Sequence, residues 1–224
     1  MSTSFLSRGP VWRSAFVLSA VLGSQGGALH PSSDGSDPLR EELATMTASS
    51  TWVPAHVMLL VSTALLAVGL WGALGSPAFA SARRRTRLAA VAVSLYVVEA
   101  AMHLAAVADS DALANGESAP VAMTHIALAA FLYPLSGVAI AALSLDLARA
   151  WSGARRLVMV PGVVGGLVHA VTVPATLLLP EAEMTPFFAV AGMSIALWTL
   201  LLAVLAPRQQ ALAPQASARE RVPA

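Results

Sequence analysis

Residues 52–74 read WVPAHVMLLVSTALLAVGLWGAL, a run without a single Asp, Glu, Lys or Arg. A hydrocarbon core ~30 Å thick is crossed by about 20 apolar helical residues. Nearly all of this run, Val53–Leu74, reads as one membrane span. Downstream, Leu88–Val107, Val121–Leu147, Leu157–Leu179 and Phe187–Leu205 have the same character. Upstream, Val11–Leu29 is a sixth candidate, interrupted by Arg13 near its start and by Ser24-Gln25-Gly26-Gly27 near its end. The pattern predicts an all-α polytopic bundle of six transmembrane helices over residues 1–206. Residues 207–224, rich in Gln, Pro, Ala and Arg, read as a disordered cytoplasmic tail.

Composition agrees. Of 224 residues, 57% are hydrophobic and 11% charged. A soluble domain carries about 25% charged residues. Mean hydropathy is +0.71. There is no cysteine, which excludes disulfides, Fe–S clusters, thiolate zinc sites and cysteine nucleophiles. The apolar content is mostly Ala, Leu and Val, suited to close helix packing.

The loops alternate in charge. Arg8 and Arg13 precede the first span, Arg83, Arg84, Arg85 and Arg87 separate the second from the third, Arg149, Arg155 and Arg156 separate the fourth from the fifth, and Arg208, Arg219 and Arg221 follow the sixth. The intervening loops are acidic: Asp34, Asp37, Glu41 and Glu42; Asp109, Asp111 and Glu117; Glu181 and Glu183. Only Arg40 breaks the alternation. Arginine-rich loops stay in the cytoplasm, so both termini are expected inside and three acidic loops outside. This is the layout of a multi-pass protein of a bacterial inner membrane. The first span has a rival reading. A basic start, a short apolar run and small residues near Gly26 and Ala28 also describe a signal peptide, whose cleavage would leave five helices.

Within the longest outer loop, Leu39–Met46 is expected to form a short surface helix, with Asp37 as its N-cap and Pro38 at its first position. Gly162 and Gly166 have GxxxG spacing, and Gly69, Gly72 and Gly75 recur every third residue. Packing within the chain is the plainer use of such glycines, and a homo-oligomer through Gly162 and Gly166 the other. Pro134 and Pro174 are expected to kink the fourth and fifth spans. Asp146 is expected to pair with Arg149. The Arg83–Arg85 run is a topology signal and a contact for anionic membrane lipids. No phosphate-binding glycine loop or nucleic-acid patch is present.

The chemistry lies in five histidines and one glutamate. On this topology His30 ends the first span at the outer face, while His56, His103 and His125 lie about one turn inside the outer ends of the second, third and fourth spans. His169 lies deeper in the fifth, ~15 Å below its outer end at ~1.5 Å per residue. Glu99 is the one acidic residue well inside a span, four residues before His103 and on the same helix face. An ionisable group at that depth usually faces the bundle interior or a wet cavity. His56, His103, His125 and His169 are therefore candidate metal ligands. Glu99 is a candidate ligand, second partner of a histidine or proton carrier. His56, His103 and His125 would form a shallow layer, and His169 with Glu99 a deeper one. Zinc, copper or iron fits such layers. A single haem b would need two ligands at matched depth, such as His56 and His125. Convergence of His103, His125 and His169 within a few Å would favour the metal, and rings fanning outward would remove it.

The motifs His30-Pro31 and Trp52-Val53-Pro54-Ala55-His56, with Glu99 in the third span, resemble small, mostly uncharacterised multi-helix membrane proteins of GC-rich bacteria. The resemblance covers about the first hundred residues and implies no activity. The expectation from the residues themselves is redox or metal-dependent chemistry at the outer face. Two alternatives are a cofactor-free scaffold, assembly or lipid-binding component, and a proton-coupled carrier using Glu99 and His169.

Overall fold

A computed structural model describes residues 11–32, 37–179 and 182–207. Every regular element among them is helical. The elements are α1 (Val11–Leu29), α2 (Leu39–Thr47), α3 (Trp52–Ala73), α4 (Arg83–Ala105), α5 (Ser110–Ala114), α6 (Pro120–Ala150), α7 (Met159–Leu178) and α8 (Thr185–Leu205). Short 3₁₀ turns precede α4, α5 and α7. Five helices, α3, α4, α6, α7 and α8, are long and apolar enough to cross a membrane. The chain is a multi-pass membrane protein. The tail expected beyond Pro207 lies almost wholly outside the described residues.

Each long helix packs beside its neighbour in the chain, and α1 packs against α8, closing a six-membered ring in the order α1, α3, α4, α6, α7, α8. Helix α1 runs antiparallel along nearly the whole of α3. A Cβ placed on Gly69 would lie 2.3 Å from the Phe16 ring, so that ring occupies the space a side chain would need. One end of the contact is Trp12 against Gly72, the middle is the Ser19 and Ser62 hydroxyls 3.3 Å apart, and the other end is Gly26 against the Ala55 carbonyl. Arg13, which interrupts the apolar run of the first span, closes the ring. Its guanidinium donates to the carbonyls of Ala203, Ala206 at 2.8 Å and Pro207 at 3.4 Å, the acceptors that a helix C-terminus leaves without partners. The outward side is apolar on all six long helices, with Leu18, Val61, Val98, Phe131, Val171 and Met193 among its exposed residues.

Helices α6 and α7 touch backbone to backbone. A Cβ on Gly166 would meet the Gly137 carbonyl at 2.6 Å, and one on Gly137 would meet the Gly166 carbonyl at 2.4 Å. Gly162 lies against Ser144 and the Trp198 ring. Both members of the GxxxG pair thus make contacts inside the chain. Pro134 and Pro174 sit within α6 and α7, and both helices continue past them.

One end of the bundle carries a cap. Helices α2 and α5 pack together, burying Leu43 and Leu113 beside Trp52 and Ala122. Arg40, the exception to the loop charges, donates from Nη2 to the Ala112 carbonyl at 3.0 Å and from Nε to Leu113 at 3.3 Å, so it caps the C-terminus of α5. Asp109 accepts from the amides of Val121 at 2.7 Å and Ala122 at 3.0 Å, capping α6 from twelve residues away. The expected N-cap of α2 is displaced by one residue. Pro38, at φ −55 and ψ 143, takes the position assigned to Asp37, because its extended ψ leaves it outside the helix. At the opposite end Asp146 pairs with Arg149 at 2.9 Å, as its spacing suggests, and with Arg85 at 3.3 Å.

Candidate metal centre

Under the cap, four helices bring histidines together. Trp52 opens α3, is fully buried, and donates from Nε1 to the Leu104 carbonyl at 3.3 Å. Its indole stacks on His56, one turn on, with ring centroids 3.9 Å apart and planes 28° apart. Nδ1 of His56 lies 2.7 Å from the Trp52 carbonyl. That bond places the imidazole proton on Nδ1 and leaves the Nε2 lone pair facing inward. His30, just past α1, repeats the device, with Nδ1 2.7 Å from the Pro31 carbonyl. Burial lowers the pKa of the His30 imidazole from its ordinary value, against the raising effect of its bond to Pro31, so the ring is neutral at pH 7.

His103 stands in the last turn of α4, its Nε2 3.1 Å from Nε2 of His56. The His30, His56 and His103 rings contact one another at centroid separations of 4.7, 4.3 and 5.9 Å, with their planes inclined by 55°, 61° and 66°. One ring nitrogen from each lies within 4.8 Å of the other two. Rings inclined to one another direct their lone pairs toward a common point, whereas parallel rings do not. With metal–nitrogen bonds of about 2.05 Å, an N···N separation of 3.1 Å subtends about 98° at the ion, between octahedral and tetrahedral values. The donor set fits a first-row divalent ion.

One turn deeper, Glu99 is completely buried. His125 reaches it from α6, Nδ1 lying 2.8 Å from Oε1. That distance suits an ion pair, but the ring N–H does not point at the oxygen. Both carboxylate oxygens and Nδ1 therefore lack a formed hydrogen bond. Buried polar atoms are rarely left without such a bond. The His125 ring stacks on His103 with centroids 4.0 Å and planes 16° apart. Glu99, His103 and His125 form a second group of donors within 4.8 Å of one another, and His103 is common to both groups.

The chain matches no protein-family model, no curated protein and no solved structure.

His56, His103, His125 and Glu99 thus come together, and His169 stands apart. Its Nε2 lies 3.2 Å from Ser136 Oγ. Its ring stacks on Tyr133 at 4.3 Å and meets the edge of Tyr96 at 5.1 Å. His169 belongs to neither donor group. The division by depth differs from expectation too, since Glu99 contacts His125 of the shallow layer and not His169. The sequence placed His30 at the outer face and quoted Trp52 in the entry to α3, but counted neither among the candidate ligands. Their signals were the His-Pro pair and the Trp-x-x-Ala-His entry to α3. Gly26 supplies the reason: its bare Cα lets the end of α1 approach the Ala55 carbonyl, and His30 follows one turn later, beside His56.

Proposed function

We propose that the protein is an integral membrane metalloprotein of six spans, with both termini in the cytoplasm. It binds a transition-metal ion through His30, His56 and His103 at the outer end of the bundle. The observation that carries this reading is the set of three inclined imidazoles, two of them with Nδ1 bonded to a backbone carbonyl so that the lone pair is on Nε2. Second partners of this kind orient histidine ligands in metal sites. A nitrogen donor set without sulfur suits Zn(II), Cu(II), Ni(II) or Fe(II). Three protein ligands leave a position open, the arrangement of catalytic rather than structural sites. An ion there would polarise a substrate or water at the outer face, and Glu99 and His125 lie against His103 where a proton is best accepted. Six spans are supported by α1, which matches α3 along its length and exposes Leu18 and Val21 as the other helices expose their apolar residues. The alternation of arginine-rich and acidic loops supports the orientation and an inner bacterial membrane.

The ring packing favours a bare ion over haem b. His103 contacts both His56 and His125, in the space a porphyrin ligated by those two would need. The carrier alternative needs a polar path across the membrane. Below His169 and Ser136, however, α6 and α7 close on each other at Gly137 and Gly166.

Metal analysis and an absorption spectrum of detergent-purified protein test the reading. At least one transition-metal ion per chain, without a Soret band, is expected. A Soret band would replace the ion by haem. A folded preparation that takes up neither would leave the scaffold alternative.

A further inference from the structure

Glu99 and His125 raise a question that one ion at His30, His56 and His103 does not answer. The carboxylate has no exposed surface, and neither of its oxygens has a hydrogen bond. Nδ1 of His125, 2.8 Å away, is equally without one. A buried carboxylate is costly unless paired; its contact with His125 at 2.8 Å leaves Oε2 without any partner, and with His103 within 4.8 Å the three residues offer the donors of a cation site.

We infer that the centre is binuclear, with a second ion held by Glu99, His125 and the shared ring of His103. This rests on the reading of the first site proposed above. The tautomers support it. Nδ1 of His56 carries that ring's proton, so the 3.1 Å contact to His103 has the Nε2–H of His103 donating to Nε2 of His56. His103 is left with a free lone pair on Nδ1. The first ion takes Nε2 of His103, the second takes Nδ1, and the ring proton passes to solvent, so the bridge is an imidazolate. The His125 ring lies nearly parallel to His103, so binding the second ion requires it to leave the stacked position by rotation about its Cβ–Cγ bond. Carboxylate and imidazole together accommodate the same first-row ions as the imidazole triad.

Copper(II) titration of the metal-free full-length protein in detergent tests this, with bound copper counted by elemental analysis after dialysis and followed by electron paramagnetic resonance. Wild type should bind two equivalents. Its integrated signal should rise to the first equivalent and fall toward zero at the second, as the two spins couple through the His103 ring. Glu99→Gln should bind one equivalent with its full signal retained, and His125→Gln should do the same if the Glu99 variant does not fold. One equivalent in wild type overturns the second position and leaves the first site standing. Two equivalents with undiminished signal overturn the shared bridge. Two equivalents in both variants overturn Glu99 and His125 as ligands. No bound copper in folded wild type overturns the first-site reading itself.

Discussion

His30, just past α1, comes beside His56 because Gly26 lets the end of α1 approach α3, and this makes the proposed metal centre sensitive to a single methyl group well away from any ligand. A Cβ on residue 26 would lie 2.9 Å from the Ala55 carbonyl oxygen and 2.9 Å from Leu59 Cγ. The leucine side chain can turn aside, whereas the carbonyl is fixed within α3. Carbon–oxygen contacts close to about 3.3 Å, so Gly26→Ala pushes the end of α1 outward by about 0.4 Å. Metal–ligand bonds tolerate about ±0.2 Å. His30, one turn further on, is carried out of ligating range, and the triad works with two good ligands. Disturbing the support of a metal ligand costs about 10–100-fold in affinity, equivalent to about 1.4–2.7 kcal/mol. Gly27→Ala is the control, because a Cβ there meets nothing within 4 Å. Both changes relieve the same helix penalty of glycine, about 1 kcal/mol, so only the steric effect differs. Competition with a chromophoric zinc chelator reads the affinities. Equal affinities for the two variants would refute the argument that the α1–α3 approach positions His30.

Other consequences are as direct. Arg13→Ala removes the donors that cap α8 and close the ring; hydrogen bonds to a charged group are worth roughly 1.5–3 kcal/mol, and thermal unfolding in detergent should fall accordingly, with no change taken as evidence against closure by Arg13. His169→Asn leaves metal content unchanged, since His169 contacts Ser136, Tyr133 and Tyr96 and neither donor group; loss of metal in that variant would place it in the centre after all. Imidazole ligands must be neutral to bind, so affinity is full at pH 7 and is lost as acid protonates the rings, which for a ligand of ordinary pKa would begin below about 6.5. The lowered pKa of His30 delays its own share of that loss to lower pH. Metal retention that shows no pH dependence down to acid unfolding would exclude histidine ligation.

The long helices were legible because a span is a local property. Twenty apolar residues need no partner to declare themselves, and Val11–Leu29 was delimited from the chain alone as α1. The pairing of Asp146 with Arg149 was legible for the same reason, since three residues on a helix fix the distance. Arg13 and Arg40 read as interruptions because their acceptors lie 190 and 73 residues away, at the ends of other helices.

The candidate site divides along the same line. Helical periodicity by itself determined that Glu99 and His103 share a face of one helix, and apolar spans with alternating loop charges placed most of the histidines toward one end of the bundle. Depth along a helix is a matter of counting. Which faces meet is not, because it depends on the rotation of each helix and on the order in which helices neighbour one another. The closed ring placed α1 against α3, so His30 joined His56 and His103, and set α6 beside α4, so His125 met Glu99. The same packing turned His169 of α7 toward Tyr133 and Ser136. The deciding contacts are backbone approaches at glycines such as Gly26, Gly137 and Gly166. Whether a glycine carries a close approach or faces open space, as Gly27 does, is settled only when the neighbouring helix is in place.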